Sequence, residues 1–517
     1  MDFKVNRELI PLSETVYDGV QEQSVELDYI LPDYFPDIFK LVKCFVTPTI
    51  ISWNAGEDRI AYELSADIKI MYCAEQSNQL QCIQQKMMYS KTIELPRSCE
   101  KPDISFSAKT DYANCRVVNQ RRIDLRSAIT IKARVMCERT QEVICDAFGM
   151  NIQLKKNQIS YAAKKLFANK TIEINEDLEL GTSKPSIISI VRNDVIVTTG
   201  EKKIIANKMI VKGEAALNIL YSCEKDGAPS LEAMQFTLPY SQIMDMDGLD
   251  ESFVSTVKAE AVSCVITPVS NKDGEYKLMQ TEISIRINCC AVNAGRAELV
   301  TDAYSTAYSC DFSKSPVKIS MLPIPLNESH QAKETLEYKD GSIECVYDVW
   351  CRAGNTAWIS DEEEKQLKIT GTILYMAMIK NENGTPVLIE RESTFEHSIT
   401  MPDINESYTA EPEVKIMSCS YNLASSDSIQ IKADIKICGS IYSSAVYDII
   451  TELNVCGENK KIREGDYALK LYYAEAGEDI WKIAKKYSTS VSAIMEENEL
   501  ASDKPIDSGM LLIPIVS

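Results

Sequence analysis

The pentapeptide IKIMY at residues 68–72 largely decides the fold, because it recurs as LNILY at residues 217–221 and as GTILY at residues 371–375. The tyrosines that end the three copies lie 149 and 154 residues apart, and a cysteine after each copy keeps intervals of 149 and 155 residues. These markers are Tyr72, Tyr221 and Tyr375 for the first set and Cys115, Cys264 and Cys419 for the second. Two independent markers with one period indicate a threefold internal repeat.

Each marker cysteine is followed by a stretch in which apolar and polar residues alternate, at residues 128–133, 282–287 and 428–433. A period of two is typical of a β-strand with one buried face. Turn dipeptides that favour hairpins, because they tolerate positive φ angles, stand between such stretches. They are Asp226-Gly227, Asp273-Gly274 and Asn383-Gly384.

We therefore expect a mainly β chain with three tandem β-rich, antiparallel sandwich-like domains, at 1–160, 161–315 and 316–460. Short helices are also expected around residues 38–42 and 187–191, which follow Pro36 and Pro185.

Other recurring residues carry structural expectations. The marker tyrosines are expected at sheet edges with the hydroxyl near water, and the marker cysteines are expected to fill core space. Asp146, Asp302 and Asp448 recur near the end of each repeat, and we expect them to close a turn at a strand end.

The last fifty residues predict a separate small module at 466–517. An apolar strand at 471–474 precedes the helical stretch GEDIWKIA at 477–484, and a second helix starts at 490–494 and ends near Asn498. The stretch GMLLIP at 509–514 forms a closing strand, so the order is strand, helix, helix, strand.

This order, with its Gly-acid-x-x-Trp-x-Ile-Ala run, its Val-Ser start, its late Asn and its final Ile-Pro, resembles the LysM domain, a βααβ module that usually binds N-acetylglucosamine-containing glycans. The resemblance implies a shallow groove between the loop before the first helix and the loop after the second. The residues it places in a partner- or glycan-binding groove are Gly477, Glu478, Asp479, Ile480, Asn498, Leu500, Ala501, Ser502 and Asp503.

Two residues in this groove favour a protein over a glycan as its ligand. Glu478 and Asp479 put two carboxylates where the family more often has Asp followed by Thr or Ser, and a carboxylate pair suits a cationic protein surface better than a sugar. Trp481 lies among Ile480, Ile483 and Ala484, so we expect it in the module core rather than as a platform for sugar stacking.

The body resembles the DUF3794 (SPOCS) repeats of endospore-forming bacteria, and three such repeats followed by one LysM module resemble the SipL-type spore coat morphogenetic proteins of clostridia. The resemblance implies a mother-cell protein in the cytoplasm at the outer forespore surface, in the spore coat. It also implies docking, through the LysM domain, to the coat morphogenetic ATPase called stage IV sporulation protein A. Other coat proteins, or a second copy of the chain, are further partners that it allows.

The composition narrows the possible partners and locations. A formal charge of −21 argues against nucleic acid, which requires clustered Lys and Arg. The residues after Met1 are polar and acidic, so no secretory signal is expected, and no apolar run is long enough for a transmembrane helix. The seventeen cysteines form no C-x-x-C pair, which favours free thiols in a reducing cytosol without a metal or other cofactor.

No catalytic motif stands out. The two histidines, His330 and His397, have no nucleophile or orienting acid around them in sequence, and no P-loop or H-E-x-x-H motif occurs. The sequence thus favours a non-enzymatic scaffold in spore coat assembly. Two alternatives remain: a glycan-binding protein of the spore cortex or envelope, and a cell-wall hydrolase that LysM targets.

Overall fold

The computed structural model describes residues 3–75, 79–99, 102–361, 363, 365–401, 407–461, 468–503 and 508–514. The sheets are antiparallel, and the two helices lie near the C-terminus. The prediction of a mainly β chain followed by a small α+β module is therefore confirmed. In the part of the chain that the structure describes, no helix has the length and apolar composition needed to cross a membrane.

The first repeat is a sandwich of two three-stranded sheets. Its strands are β1 (Lys4–Ile30), β2 (Ile38–Ala55), β3 (Arg59–Ala74), β4 (Leu80–Glu94), β5 (Asp103–Asn119) and β6 (Arg122–Phe148). One sheet has the order β1-β6-β5 and the other β2-β3-β4. Alternation places Ile68, Ile70 and Tyr72 of β3 in one core with Ile129 and Ile131 of β6.

The other two repeats follow the same plan. The second contains β7 (Ile152–Glu179), β8 (Ser189–Ile205), β9 (Lys208–Lys225), β10 (Ala228–Asp245), β11 (Val254–Val269) and β12 (Leu278–Ser305). The third contains β13 (Tyr308–Ser320), β14 (Ile324–Glu337), β15 (Ile343–Asp361), β16 (Gln366–Asn381), β17 (Pro386–Thr400), β18 (Ser407–Leu423) and β19 (Ser428–Lys460). Here the first strand is split around Pro323, which lacks the N–H that a continuous ladder needs, and both halves pair with β19.

Successive repeats meet between strands at residues 149–151 and 306–307. Both junctions lie before the limits predicted at 160 and 315, and β7 and β13 run across those two positions. The domain limits drawn from the sequence stay predictions.

The helices expected around residues 38–42 and 187–191 are wrong. Residues 38–42 begin strand β2, and residues 189–191 begin strand β8. The pairing of β2 with β3 shifts between Ile38 and Lys40 and again between Leu41 and Lys43. Each bulge adds an unpaired residue and interrupts the period of two, so the sequence there no longer alternates like a strand.

The three marker tyrosines do not lie at sheet edges, so that expectation is also wrong. Tyr72, Tyr221 and Tyr375 are fully buried in β3, β9 and β16, the central strands of their sheets. The hydroxyl of Tyr72 donates to the carbonyl oxygen of Pro36 at 3.0 Å, and that of Tyr221 donates to Pro185 at 3.3 Å. Burial raises the pKa of all three hydroxyls.

Not every cysteine is a free thiol. The sulfur atoms of Cys99 and Cys137 form a disulfide, with Cα atoms 6.0 Å apart, a normal separation for such a bond. The expectation of free thiols is wrong for this pair, whose residues lie 38 positions apart in the chain and meet only after folding. The other fifteen cysteines are free.

The three repeats pack against one another at two places. The first is a bundle of three two-stranded ribbons that we call the stem, formed by residues 4–16 with 136–148, 152–164 with 293–305, and 308–320 with 444–460. Its apolar cluster contains residues of every repeat: Ile10, Val143, Ile159, Leu299, Ile319 and Ile449.

The second contact joins the sheets that carry the marker tyrosines. Phe45, Met71, Leu220, Trp350 and Met376 form one cluster to which each repeat contributes. Each repeat therefore touches both of the others, and the three sandwiches form a closed ring around a common centre.

Candidate functional site

The C-terminal module has the predicted order of elements. Strand β20 (Leu469–Ala474) pairs with β21 (Gly509–Pro514), and helices α1 (Ile480–Tyr487) and α2 (Val491–Glu497) lie between them in the chain. Asp479 caps α1, because its carboxylate accepts a hydrogen bond from the Trp481 amide at 2.9 Å. Ser490 caps α2 in the same way through the Ala493 amide.

Trp481 is buried, with 8% of its surface exposed, as the sequence predicts. It packs with Ile480, Ile483 and Ala484, but the same apolar cluster also includes Tyr304 of strand β12. Trp481 is therefore partly covered by the ribbon that the second repeat contributes to the stem.

The module is docked on the stem through polar and aromatic contacts. Asp302 of β12 accepts hydrogen bonds from the indole Nε1 of Trp481 at 2.8 Å and from the ammonium of Lys485 at 2.6 Å. The ring of Tyr304 lies edge-on to Trp481 at 4.9 Å, and its hydroxyl donates to the Thr489 carbonyl oxygen at 2.7 Å. Burial alone would raise the pKa of Asp302, but the bonds from Lys485 and Trp481 lower it below its ordinary value.

One of the predicted groove residues takes part in this docking. Lys155 of β7 donates to the carboxylate of Asp479 at 2.7 Å. Burial raises the pKa of Asp479, but the bonds from Lys155 and from the Trp481 amide outweigh it and lower the pKa overall. We call the contact of Lys155, Asp302 and Tyr304 with the module the latch.

The other groove residues of the first loop are divided between exposed and internal positions. Gly477 is exposed, with a positive φ of 78°, and Glu478 is half-buried and accepts a hydrogen bond from the Tyr472 hydroxyl at 2.7 Å. Ile480 is fully buried, and its amide donates to the carbonyl oxygen of Asp503 at 3.2 Å. That bond joins the two loops that were predicted to flank the groove.

In the second loop, Asn498 is part of the framework of the module. Its side-chain amide donates to the carbonyl oxygens of Ile494 and Leu512, and its Oδ1 accepts from the Leu512 amide at 2.7 Å. Leu500 is half-buried against the module core. Only the last three predicted residues, Ala501, Ser502 and Asp503, are exposed here.

A second surface of the module was not predicted. Leu469, Leu471 and Tyr473 alternate along β20 on the face that points away from the core, with 45%, 66% and 66% of their surfaces exposed. Met510, which pairs with Tyr473, is 67% exposed, and Leu512 pairs with Leu471. These five residues form what we call the apolar sheet face. The signal that could have revealed it is that residues 471–474 are apolar or aromatic on both faces of the strand, since a two-stranded sheet can turn only one face to the module core.

The sequence did not predict the latch residues of the stem, although Asp302 is one of the recurring aspartates. Contrary to expectation, Asp146 and Asp302 do not close turns at strand ends. Each lies within a strand beside a bulge, and its carboxylate accepts a hydrogen bond from the backbone amide of the next residue. Asp146 pairs with Lys156 at 2.9 Å, whereas Asp302 pairs with the module. Asp448 also lies within a strand, β19, but it pairs with Pro316 and the bulge of that ribbon lies between Ile450 and Glu452. The turn-closing expectation is therefore wrong for all three aspartates, and of the three Asp302 is the one that bonds to the module.

The structure brings the two histidines together. The rings of His330 on β14 and His397 on β17 lie 5.6 Å apart, and burial followed by the proximity of His397 lowers the pKa of His330. Within the described residues, no group of three or more His, Cys, Asp or Glu side chains is arranged to hold a metal ion.

Comparison with protein families agrees with this architecture. Residues 186–267, which cover β8 to β11 of the second repeat, match the family model described as SipL, SPOCS domain. Residues 472–513 match the LysM domain model. No curated protein and no solved structure matches the chain.

The fold and these domains define a multidomain binding protein, since both matched domains are non-catalytic binding domains. A SipL SPOCS domain followed by a C-terminal LysM domain is the combination of SipL-type proteins, which confirms the resemblance drawn from the sequence. The combination fits a sporulation-related role in binding peptidoglycan or protein.

Proposed function

We propose that this protein is a non-enzymatic scaffold in spore coat assembly. It acts in the mother-cell cytoplasm at the outer forespore surface, where its C-terminal module docks to the coat morphogenetic ATPase, stage IV sporulation protein A. The SipL-type domain combination supports the setting, and the module supplies the docking surface.

The observation that supports a protein partner is which residues of the module are exposed and which are already engaged in contacts. Asp479, Ile480 and Asn498 make internal bonds, and Glu478 bonds to Tyr472, so much of the predicted groove is already occupied. The apolar sheet face is exposed instead, and a cluster of large apolar side chains on a strongly acidic protein is typical of a protein-binding surface. The exposed loop residues Gly477, Ala501, Ser502 and Asp503 are further candidates for partner contacts.

Pull-down of the purified ATPase tests the docking, with three forms of the chain compared with the wild type. Deletion of residues 466–517 should abolish capture. Leu471→Gln with Tyr473→Gln should weaken capture at least tenfold, because each removes an exposed anchor without touching the module core. Phe39→Gln, at a residue of the first repeat that is 61% exposed, is the matched control and should not change capture. Full capture by the deleted chain would reject the module as the docking site.

A glycan-binding protein of the cortex or envelope is the second candidate, favoured by the LysM match itself. Titration of the full chain with N-acetylglucosamine oligomers separates the two. Micromolar affinity that is lost on changing Ser502 or Asp503, but unaffected by the changes at Leu471 and Tyr473, would favour the glycan.

A further inference from the structure

The three repeats form a cavity of about 1690 Å³ between them, and this cavity is open to solvent on one side. Every repeat contributes to its walls, through core residues such as Ile50 and Leu326 and through the lysines Lys132, Lys165 and Lys436. We call this space the central chamber. It is distinct from the C-terminal module, and nothing in the proposed docking function uses it.

Cations hold the repeats together around the chamber. Arg286 of the second repeat is 5% exposed, lies over the Trp53 ring, and donates to the carbonyl oxygens of Ile50 and Ile51 of the first repeat at 2.6 Å. Lys415 of the third repeat donates to the carbonyl oxygen of Ala259 in the second at 2.8 Å.

The third side of the ring is closed by an ion pair. Arg134 of the first repeat bonds to the Glu411 carboxylate of the third at 2.9 Å. Lysine and arginine side chains thus bridge each pair of neighbouring repeats, and two of the three bridges use mainly backbone carbonyls, which carry no full negative charge.

The chamber is basic in a chain that is strongly acidic. Nine Lys and Arg side chains line it against six Asp and Glu, whereas the whole chain has a formal charge of −21. Burial also raises the pKa of Asp103, one of the six acids, against the opposing effect of the nearby Lys165 charge.

Most of the remaining acids are already paired. Glu411 bonds to Arg134, Glu260 lies within 3.6 Å of both Lys258 and Arg286, and Glu413 is 3.6 Å from Lys258. Glu201 bonds to Lys212, which is not part of the chamber wall.

Four lysines of the wall are left without a carboxylate in ion-pair distance, counting the described residues only. The ammonium of Lys165 bonds to the hydroxyl of Ser13 at 3.0 Å, and that of Lys202 bonds to the Ser255 carbonyl oxygen. Lys132 and Lys436 have neither a carboxylate nor a side-chain hydrogen bond among the described residues. Lys132 and Lys202 are exposed and Lys165 lies near Asp103, but ammonium groups that face the same cavity add their fields and attract anions.

We propose that the central chamber is a binding site for a polyvalent oxyanion, held by lysines of all three repeats. Its volume exceeds that of most small-molecule pockets, so it has room for a ligand that bears several phosphate or carboxylate groups. Such a ligand would neutralise the surplus charge and link the repeats, and its binding should stabilise the ring.

Isothermal titration of the full chain in about 0.15 M salt tests the proposal, with inorganic tripolyphosphate as the phosphate probe and citrate as the carboxylate probe. Saturable binding of either supports it, and the tighter probe identifies the chemistry of the natural ligand. Lys132→Gln with Lys436→Gln should weaken binding by about tenfold or more, since each removes a charged hydrogen-bond donor.

The matched control is Lys333→Gln with Lys339→Gln, which removes the same charge from exposed residues outside the chamber. Neither double variant breaks a described contact, so both should keep the wild-type melting temperature, which shows that lost binding is not lost folding. The proposal is overturned if neither probe binds saturably, or if the control variant loses as much affinity as the chamber variant.

Discussion

The latch can be tested by replacing Asp302 with alanine. The carboxylate accepts hydrogen bonds from the Trp481 indole and from the Lys485 ammonium. A hydrogen bond to a charged group contributes about 1.5–3 kcal/mol, and the indole N–H would be left buried without a partner. The Lys485 side chain is 38% exposed, so water screens that pair and we assign it only about 0.5 kcal/mol.

We therefore expect Asp302→Ala to weaken docking of the module by about 2–3 kcal/mol, which corresponds to roughly a 30- to 150-fold smaller docking constant. The chain contains four tryptophans, so labelling with 5-fluorotryptophan gives four ¹⁹F signals, and Trp481→Phe identifies the one of interest. In the Asp302→Ala variant this signal should move towards the position of a solvent-exposed indole.

Asp146→Ala is the matched control, because Asp146 is the counterpart of Asp302 in the first repeat and pairs with Lys156 instead of the module. It should leave the Trp481 signal in place. Acid should mimic the Asp302 change: the bound carboxylate has a lowered pKa, so its contribution is complete above the ordinary value of 3.8 and is lost as the pH falls through the lowered value. The latch would be refuted if Asp302→Ala and Asp146→Ala gave the same spectrum as the wild type.

Three further changes probe the body by thermal unfolding. Arg286→Ala should lower the free energy of unfolding by about 3 kcal/mol, because it removes two hydrogen bonds between repeats and the contact with the Trp53 ring. Lys432→Ala, at the corresponding position of the third repeat, should lower it by less than about 1 kcal/mol. Equal losses would contradict the bridging role of Arg286. His330→Gln should reduce the loss of stability between pH 7 and pH 5. The pKa of His330 is lower in the folded than in the unfolded chain, so protonation of this histidine on acidification favours the unfolded chain. An unchanged dependence of stability on pH would show that His330 does not contribute. Gly213→Ala should destabilise by about 1–3 kcal/mol, since a Cβ there would clash with the backbone carbonyl oxygen of Thr198 and lie 2.5 Å from the Tyr240 hydroxyl. Wild-type stability would show that the strand can shift.

The sequence predicted what local pattern controls. Alternation in residues 128–133 and its counterparts identified strands, and Asp226 and Gly227 adopt the positive φ angles, 54° and 76°, that their hairpin requires. The order of elements in the C-terminal module and the burial of Trp481 followed from the same kind of pattern.

What the sequence could not predict are contacts between distant segments. Alternation shows that Arg286 points away from the sandwich core, but not that another repeat covers it. The partners Asp302 and Trp481 lie 179 positions apart, and no local signal links them. The start of β2 was mispredicted for the opposite reason, because two bulges close together in the chain interrupt the local alternation of a strand that pairs along its whole length.

Linking three copies in one polypeptide also fixes the stoichiometry of the molecule. A ring of three separate, identical chains would dissociate on dilution and would offer three equal receptors for a C-terminal module. Here the ring persists at any concentration, and the copies have diverged. The second repeat supplies Asp302 and Lys155 to the module, whereas the third places the Phe312 ring 5.1 Å from the Lys485 ammonium. Each body therefore holds its module at one place and in one direction, so an assembly built from such units would be polar rather than symmetric.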